Sequence, residues 1–419
     1  MLANAEQLLP GGGVTSLSLP GGVRKVIARG KGSRIWDVAG DEYVDYLLGS
    51  GPLIAGHAHP AVVDAVQRQA ALGSTFYAVT EPILRLAQRI VDSVPCAEMV
   101  QFCTSGSEAT AYALRIARAA TGRDAVLKFE GGFHGANDYA QMSLFPSVAA
   151  TYPSSQPSSG GIPHALVEDV LVVPFNDLGQ VRAVVEENRN RLSAIIVEPV
   201  QRVIEPVPGF LQGLRDLATR YGIVLIFDEI VTGFRLGEAG AQGYYGVKPD
   251  LATYGKIIGG GYPLAAVAGQ STLMELADPG RRGKGDYVYF SGTLNGNPIA
   301  AVAGLATMEL LDDAAYKRLF AAGERLRGGL QDAFARHDIA VRVLGIGPMF
   351  QVLITDETVR DYWGMQRADS VRLKKIAAAV FQQGFFLSGD KGYLSLAHTD
   401  DDLDRTIQAF AVAIRSQSD

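Results

Sequence analysis

The sequence predicts an α/β protein: a parallel sheet with helices on both faces, followed by a smaller α/β domain. Three observations carry this reading. From about residue 61 to residue 266, short β-rich runs alternate with helix-patterned segments, the order in which crossovers join parallel strands. Polar or acidic residues stand directly after several of those runs, where such sheets bind their ligands. At 419 residues the chain is long enough for two domains with a large buried core.

The candidate strands, in order, are Met99–Cys103, Ala125–Phe129, Val170–Val173, Ala194–Val197 and Ile223–Phe227. Each is a short apolar, β-branched run bounded by turn formers. Thr104, Glu130, Glu198 and Asp228 follow four of them directly. Between the strands, Ser107–Ala120 sets Ala109, Ala113, Ile116, Ala117 and Ala120 on one helical face, and Pro208–Tyr221 reads as a second helix. Tyr152–Pro163, rich in Ser, Pro and Gly, reads as a long loop suited to move over a site. After about Gly304 the pattern turns helical over 301–311 and 314–337, passes through 341–352, and ends in helices over 370–383 and 401–416. Three parts are expected: an N-terminal segment, 1–50, packing with the small domain; a large ligand-binding domain, 51–304; and a small C-terminal α/β domain, 305–419.

Composition narrows the function. Apolar residues make up 47% and charged residues 20%, as in ordinary globular proteins, and a net charge of −6 offers nothing to attract nucleic acid or an anionic membrane. Cys96 and Cys103 are too few and too close for a disulfide framework or a metal site, so both read as reduced thiols. The first residues lack a signal peptide's basic start and apolar run, and no apolar segment reaches bilayer length. A cytoplasmic protein acting on small molecules is expected.

Two stretches carry the chemistry. Leu225-Ile226-Phe227-Asp228-Glu229 runs an apolar strand into an acid, and Lys256 follows Asp228 by 28 residues in a turn continued by Gly259-Gly260-Gly261. A lysine that can form a Schiff base with an aldehyde, and an acid that can pair with a protonated pyridine nitrogen, are what pyridoxal 5′-phosphate chemistry requires. Alone, a strand-end aspartate or a surface lysine is commonplace; further stations strengthen the pair. Ser105-Gly106-Ser107-Glu108 opens a helix with a capping-box pattern, and such an N-terminus seats a phosphate, although an ordinary capped helix reads the same way. Phe133, among glycines in Glu130-Gly131-Gly132-Phe133-His134, suits a ring laid over a flat cofactor, and His134 a supporting hydrogen bond. Glu198 and Asp228 could be a metal pair, but no His or Cys stands nearby at ligand spacing. The Phe290–Pro298 turn offers a hydroxyl for a further phosphate contact.

In this order and spacing the stations resemble the class III aminotransferases of the type I pyridoxal-phosphate fold, above all their glutamate-1-semialdehyde aminomutase branch. The resemblance spans nearly the whole chain, and its most specific pieces are Ile226–Arg235 and Gly255–Gly261. It implies a mostly parallel seven-stranded sheet in the large domain, and a homodimer with shared sites. By resemblance, Lys256 is the Schiff-base lysine and proton shuttle, and Asp228 pairs with the ring nitrogen. Ser105, Gly106 and Ser107 hold the phosphate, Phe133 and Ile230 pack on opposite ring faces, Glu198 supports the ring oxygen, and Thr293 reaches the neighbouring subunit's phosphate. Departures from the branch bear on the substrate. Leu19 falls where an arginine that grips a carboxylate is expected, Ser50 where tryptophan is usual, and Asp390 about where a substrate-binding glutamate stands. These changes favour an aminotransferase moving an amino group from an amine or amino acid donor to a carbonyl acceptor in a ping-pong cycle. The alternative is aminomutase-like transfer within one molecule. Arg202, in Gln201-Arg202-Val203-Ile204-Glu205, is a candidate replacement for the missing arginine.

Overall fold

A computed structural model describes residues 1–14, 24–389 and 391–417. The chain forms two compact units, one of residues 1–60, 312–358 and 364–419, the other of 61–311 and 359–363.

In the first unit, β1 (Ile27–Lys31), β2 (Arg34–Asp37) and β3 (Glu42–Asp45) make an antiparallel sheet. The second unit is organised by seven strands: β4 (Met99–Cys103), β5 (Ala125–Phe129), β6 (Val170–Val173), β7 (Leu192–Val197), β8 (Val224–Asp228), β9 (Leu251–Tyr254) and β10 (Ala265–Gly269). Their order is β4-β10-β9-β8-β7-β5-β6, with β10 antiparallel to both neighbours and the remaining pairs parallel. The last two strands had no counterpart among the sequence candidates. β10 is only Ala-Ala-Val-Ala-Gly, and β9 runs straight into the lysine turn, so neither shows a distinctive β-branched run.

Side-chain alternation explains how the sheet is buried on both faces. Val126, Ala194, Ile196, Val224 and Ile226 form one cluster with Ala109, Ala113, Leu114, Ile116 and Ala117 of the Gly106–Thr121 helix. Phe129, of the opposite parity on β5, makes edge-to-face contacts with Phe175 and Phe210, the latter opening the Phe210–Tyr221 helix. The parity that faces the Gly106–Thr121 helix is also that of Lys128, Glu130, Glu198 and Asp228. Period-two geometry alone therefore gathers these polar residues at one end of one face.

The first unit is completed by β11 (Arg342–Leu344), β12 (Met349–Leu353), β13 (Phe385–Phe386) and β14 (Gly392–Tyr393). β13 joins β3 in parallel, and β12 pairs with β11 and β14. The helices Asp313–Ala335, Ser370–Gln382 and Asp400–Arg415 supply Leu326, Phe334, Ile376, Val380, Phe410 and Ile414 to its core.

Candidate active site

The site is assembled at the carboxyl ends of the parallel strands of the second unit. Asp228, the last residue of β8, is buried and fixed from three sides. His134 Nδ1 lies 2.7 Å from its Oδ2, Thr253 Oγ1 donates to Oδ1 at 3.0 Å, and the Ile230 N–H donates to Oδ1 at 3.2 Å. A carboxylate only accepts, so a hydrogen sits on His134 Nδ1, which leaves Nε2 as the ring's other polar atom. That Nε2 is buried and has no partner among the described residues. Thr253, which the sequence reading missed, stands three residues before Lys256; its signal was strand parity, not residue type.

The Gly106–Thr121 helix begins beside this carboxylate. Ser105 is its N-cap: the Glu108 N–H donates to Ser105 Oγ at 3.3 Å, and the Ser105 N–H to Glu108 Oε2 at 2.8 Å. The first N–H groups of a helix lack intrahelical acceptors and carry positive potential, which suits an anion. Close packing is possible only because neighbours lack side chains. A Cβ on Gly135 would lie 2.5 Å from Ser107 Oγ, and a Cβ on either Gly106 or Gly255 would lie 3.0 Å from Ile230 Cδ1. Ile230 thus fills the gap between the helix start and the turn bearing Lys256. Lys256 itself opens a short 3₁₀ turn in the left-handed region, φ +49°, where a non-glycine residue is uncommon.

On the other flank, the Phe133 N–H donates to Glu198 Oε2 at 2.8 Å, and the Phe133 ring is 45% exposed although flanked by buried residues. Glu130 is buried; its Oε2 accepts from the Tyr152 hydroxyl and from Trp363 Nε1, the latter at 2.7 Å. This anchors the loop expected to move. Tyr152 is tied to Glu130, the Gln156 N–H donates to Ser143 Oγ, and Ile162 is buried among Met142, Val170 and Val172. Beneath it Lys128, fully buried, donates to the Ala140 and Met142 carbonyls at 2.6 Å each, and burial depresses its amine to about 7. Trp363 lies too far along the chain for any local signal to have pointed to it.

Thr293 lies apart, exposed in a loop whose Asn295 accepts from Thr104 Oγ1 at 3.5 Å. Leu19 and Asp390 lie outside the described residues. Ser50 is exposed within a run of left-handed residues, Leu48, Gly49, Ser50 and Gly51.

The sequence pattern of the family described as "Aminotransferase class-III" matches residues 20–414. The chain belongs to this family. A glutamate-1-semialdehyde 2,1-aminomutase from Roseiflexus castenholzii is 43% identical over 426 aligned positions, covering 99% of this chain and 96% of that protein. Among solved structures, an omega-transaminase from Sphaerobacter thermophilus superposes with a TM-score of 0.95 at 34% identity, covering 100% of this chain and 97% of the other. A glutamate-1-semialdehyde aminomutase from Pseudomonas aeruginosa, solved in complex with PMP, superposes with a TM-score of 0.89 at 26% identity, covering 99% and 93%. The fold is that of the type I pyridoxal-phosphate transferases, and the family's cofactor is pyridoxal 5′-phosphate. The residues present fit that group. A helix N-terminus backed by Gly135 can seat a phosphate, a buried carboxylate can face a ring nitrogen, and a half-exposed aromatic ring can flank a plane.

Proposed function

We propose that this class-III aminotransferase family member moves amino groups between small molecules, as an aminotransferase with a separate donor and acceptor. The bound cofactor supplies an aldehyde that captures amines and a ring that withdraws electrons from the adjoining carbon. Lys256 would hold it through Nζ and, once an amino substrate has displaced that nitrogen, the freed amine would take and return the proton on the substrate carbon bearing the amino group. Asp228 would keep the ring nitrogen protonated, while His134 and Thr253 stop the carboxylate from rotating. Ser105, Gly106 and Ser107 would receive the phosphate, Phe133 and Ile230 would flank the ring, and Glu198 would support the cofactor through its carboxylate. The single observation that carries amino transfer, in either form, is Asp228 held by His134 at 2.7 Å and Thr253 at 3.0 Å, one strand away from the turn of Lys256.

The second reading is intramolecular transfer, as in the aminomutases. The name carried by the curated relatives favours it over intermolecular transfer. On the other side stand Leu19 and Ser50, which replace an arginine and a tryptophan expected of that branch, and the omega-transaminase superposition.

A half-reaction separates the two. The holoenzyme, without acceptor, is mixed with α-amino acids, β-amino acids, simple amines and glutamate-1-semialdehyde. Conversion of the cofactor's aldehyde form to its amine form, with equimolar carbonyl product and loss of both in Lys256→Ala, is the expected result. Isomerisation of the semialdehyde with no donor converted would establish the intramolecular form.

We further propose a homodimer. Phe76 and Tyr77, exposed at 51% and 79%, form an apolar rim on a hollow also lined by Thr293 and Leu294. A second copy covering this rim would bring Thr293 to its partner's phosphate site. The buried, unpaired Cys96 and Cys103 accord with a reducing, cytoplasmic setting.

A further inference from the structure

Arg202 occupies a position that glycine would fill without strain. The Gln201 N–H donates to the Ile204 carbonyl at 3.0 Å and the Ile204 N–H returns the bond at 2.8 Å, so Arg202 and Val203 are the two central residues of a tight turn. The first of them has φ +61°, a conformation that side chains disfavour and that clusters at functional sites. The turn is fastened to the Phe133 segment. Gln201 Nε2 donates to the Glu130 carbonyl at 2.8 Å, and Arg202 Nε to the Gly131 carbonyl at 3.1 Å.

The guanidinium this turn delivers lies among aromatic rings. Its central carbon is 5.3 Å from the Phe133 ring centre and 5.5 Å from that of Phe145, and Phe145 is 61% exposed. Tyr362 closes the side beyond Gly131, where a Cβ would lie 2.2 Å from its ring, and its hydroxyl donates to the Pro146 carbonyl at 3.0 Å. A planar cation set between partly exposed rings matches a ligand with a carboxylate at one end and an apolar body beside it. The guanidinium takes a carboxylate with a fork of parallel N–H bonds, and the rings take the hydrocarbon.

We infer that Arg202 is the residue that selects amino substrates bearing a carboxylate next to an aromatic or branched apolar group. The inference rests on the amino-transfer reading above. It also accounts for Leu19 standing where the aminomutase branch has its carboxylate-gripping arginine: the positive charge is supplied from the end of β7 instead.

The test uses donor pairs that differ in the carboxylate: phenylalanine with 2-phenylethylamine, and 3-amino-3-phenylpropanoate with 1-phenylethylamine. Single-turnover half-reactions are run with holoenzyme of wild type, Arg202→Ala and Arg202→Lys, and cofactor affinity is measured for each. Losing a charge-assisted hydrogen bond should raise the half-saturating concentration of the acid donors roughly 10- to 150-fold in Arg202→Ala. The amine donors and cofactor affinity should stay within about twofold, with partial rescue by Arg202→Lys. Equal losses for acids and amines, or a loss of cofactor affinity, would reduce Arg202 to a prop for Phe133 and overturn the inference, as would no change at all. A wild type that converts neither member of either pair, nor isomerises the semialdehyde, would bring down the amino-transfer reading and this inference with it.

Discussion

At the scale of single residues, the site is a set of side chains that burial would penalise were they not matched. Asp228 is matched by His134, Thr253 and a backbone N–H. Lys128 is matched only in part, because its amine donates to two carbonyls yet no carboxylate is bonded to it among the described residues. Burial and the nearby Arg202 charge lower its affinity for a proton, Glu198 opposing them. The folded protein therefore releases this proton at about 7, whereas the unfolded chain retains it to 10.5. Between those values the unfolded state binds more protons, so stability rises with pH, by at most about 1.4 kcal/mol per unit from this group. Urea unfolding at pH 7, 8 and 9 should show that rise in the wild type and a flatter profile in Lys128→Met. A profile of the same slope in both would remove Lys128 as its source. The absolute stability of Lys128→Met is expected to fall at every pH, since two buried carbonyls lose their donor.

At the scale of elements, the start of the Gly106–Thr121 helix has two tasks that can be separated. Its capping box resembles the one at the start of the Asp400–Arg415 helix, where the Asp402 N–H donates to Thr399 Oγ1 and the Thr399 N–H to Asp402 Oδ2. Ser105→Ala and Thr399→Ala should each cost about 1 kcal/mol of stability. Only Ser105→Ala should also weaken cofactor binding, measured by titrating the apoenzyme, because only that helix begins at the proposed phosphate seat. Equal cofactor affinity in both variants would leave Ser105 a cap and nothing more. The capping pattern, strands β4 to β6 and most of the helix were legible in the sequence because they rest on local rules: one side chain answering one backbone group, or one face repeating every third or fourth residue. What was not legible depended on contacts between distant segments. β9 and β10 have little strand character of their own and are set by pairing with β8 and β4. The Tyr152–Pro163 loop looked mobile by composition, yet it is held by Glu130, whose other donor, Trp363, comes from far along the chain.

At the scale of the whole molecule, the proposed homodimer makes a prediction that does not depend on the substrate. Analytical ultracentrifugation should give a mass near twice 44.6 kDa. If Thr293 serves the partner's site, Thr293→Ala and Lys256→Ala should each be impaired alone, and mixed dimers of the two should regain activity. One of their two sites would then contain both wild-type residues. No recovery after verified subunit exchange would return Thr293 to its own chain's site or to none. The division of the chain has a different consequence, for biosynthesis. Residues 61–311 of the second unit form a continuous stretch, whereas the first unit draws on both ends of the chain. As the protein leaves the ribosome, β3 must wait for β13, its partner at Phe385–Phe386, while the intervening stretch is made. At about 5–20 residues per second that wait lasts tens of seconds. The nascent N-terminal sheet spends it with an unpaired edge, the state in which chaperones would be expected to find this chain.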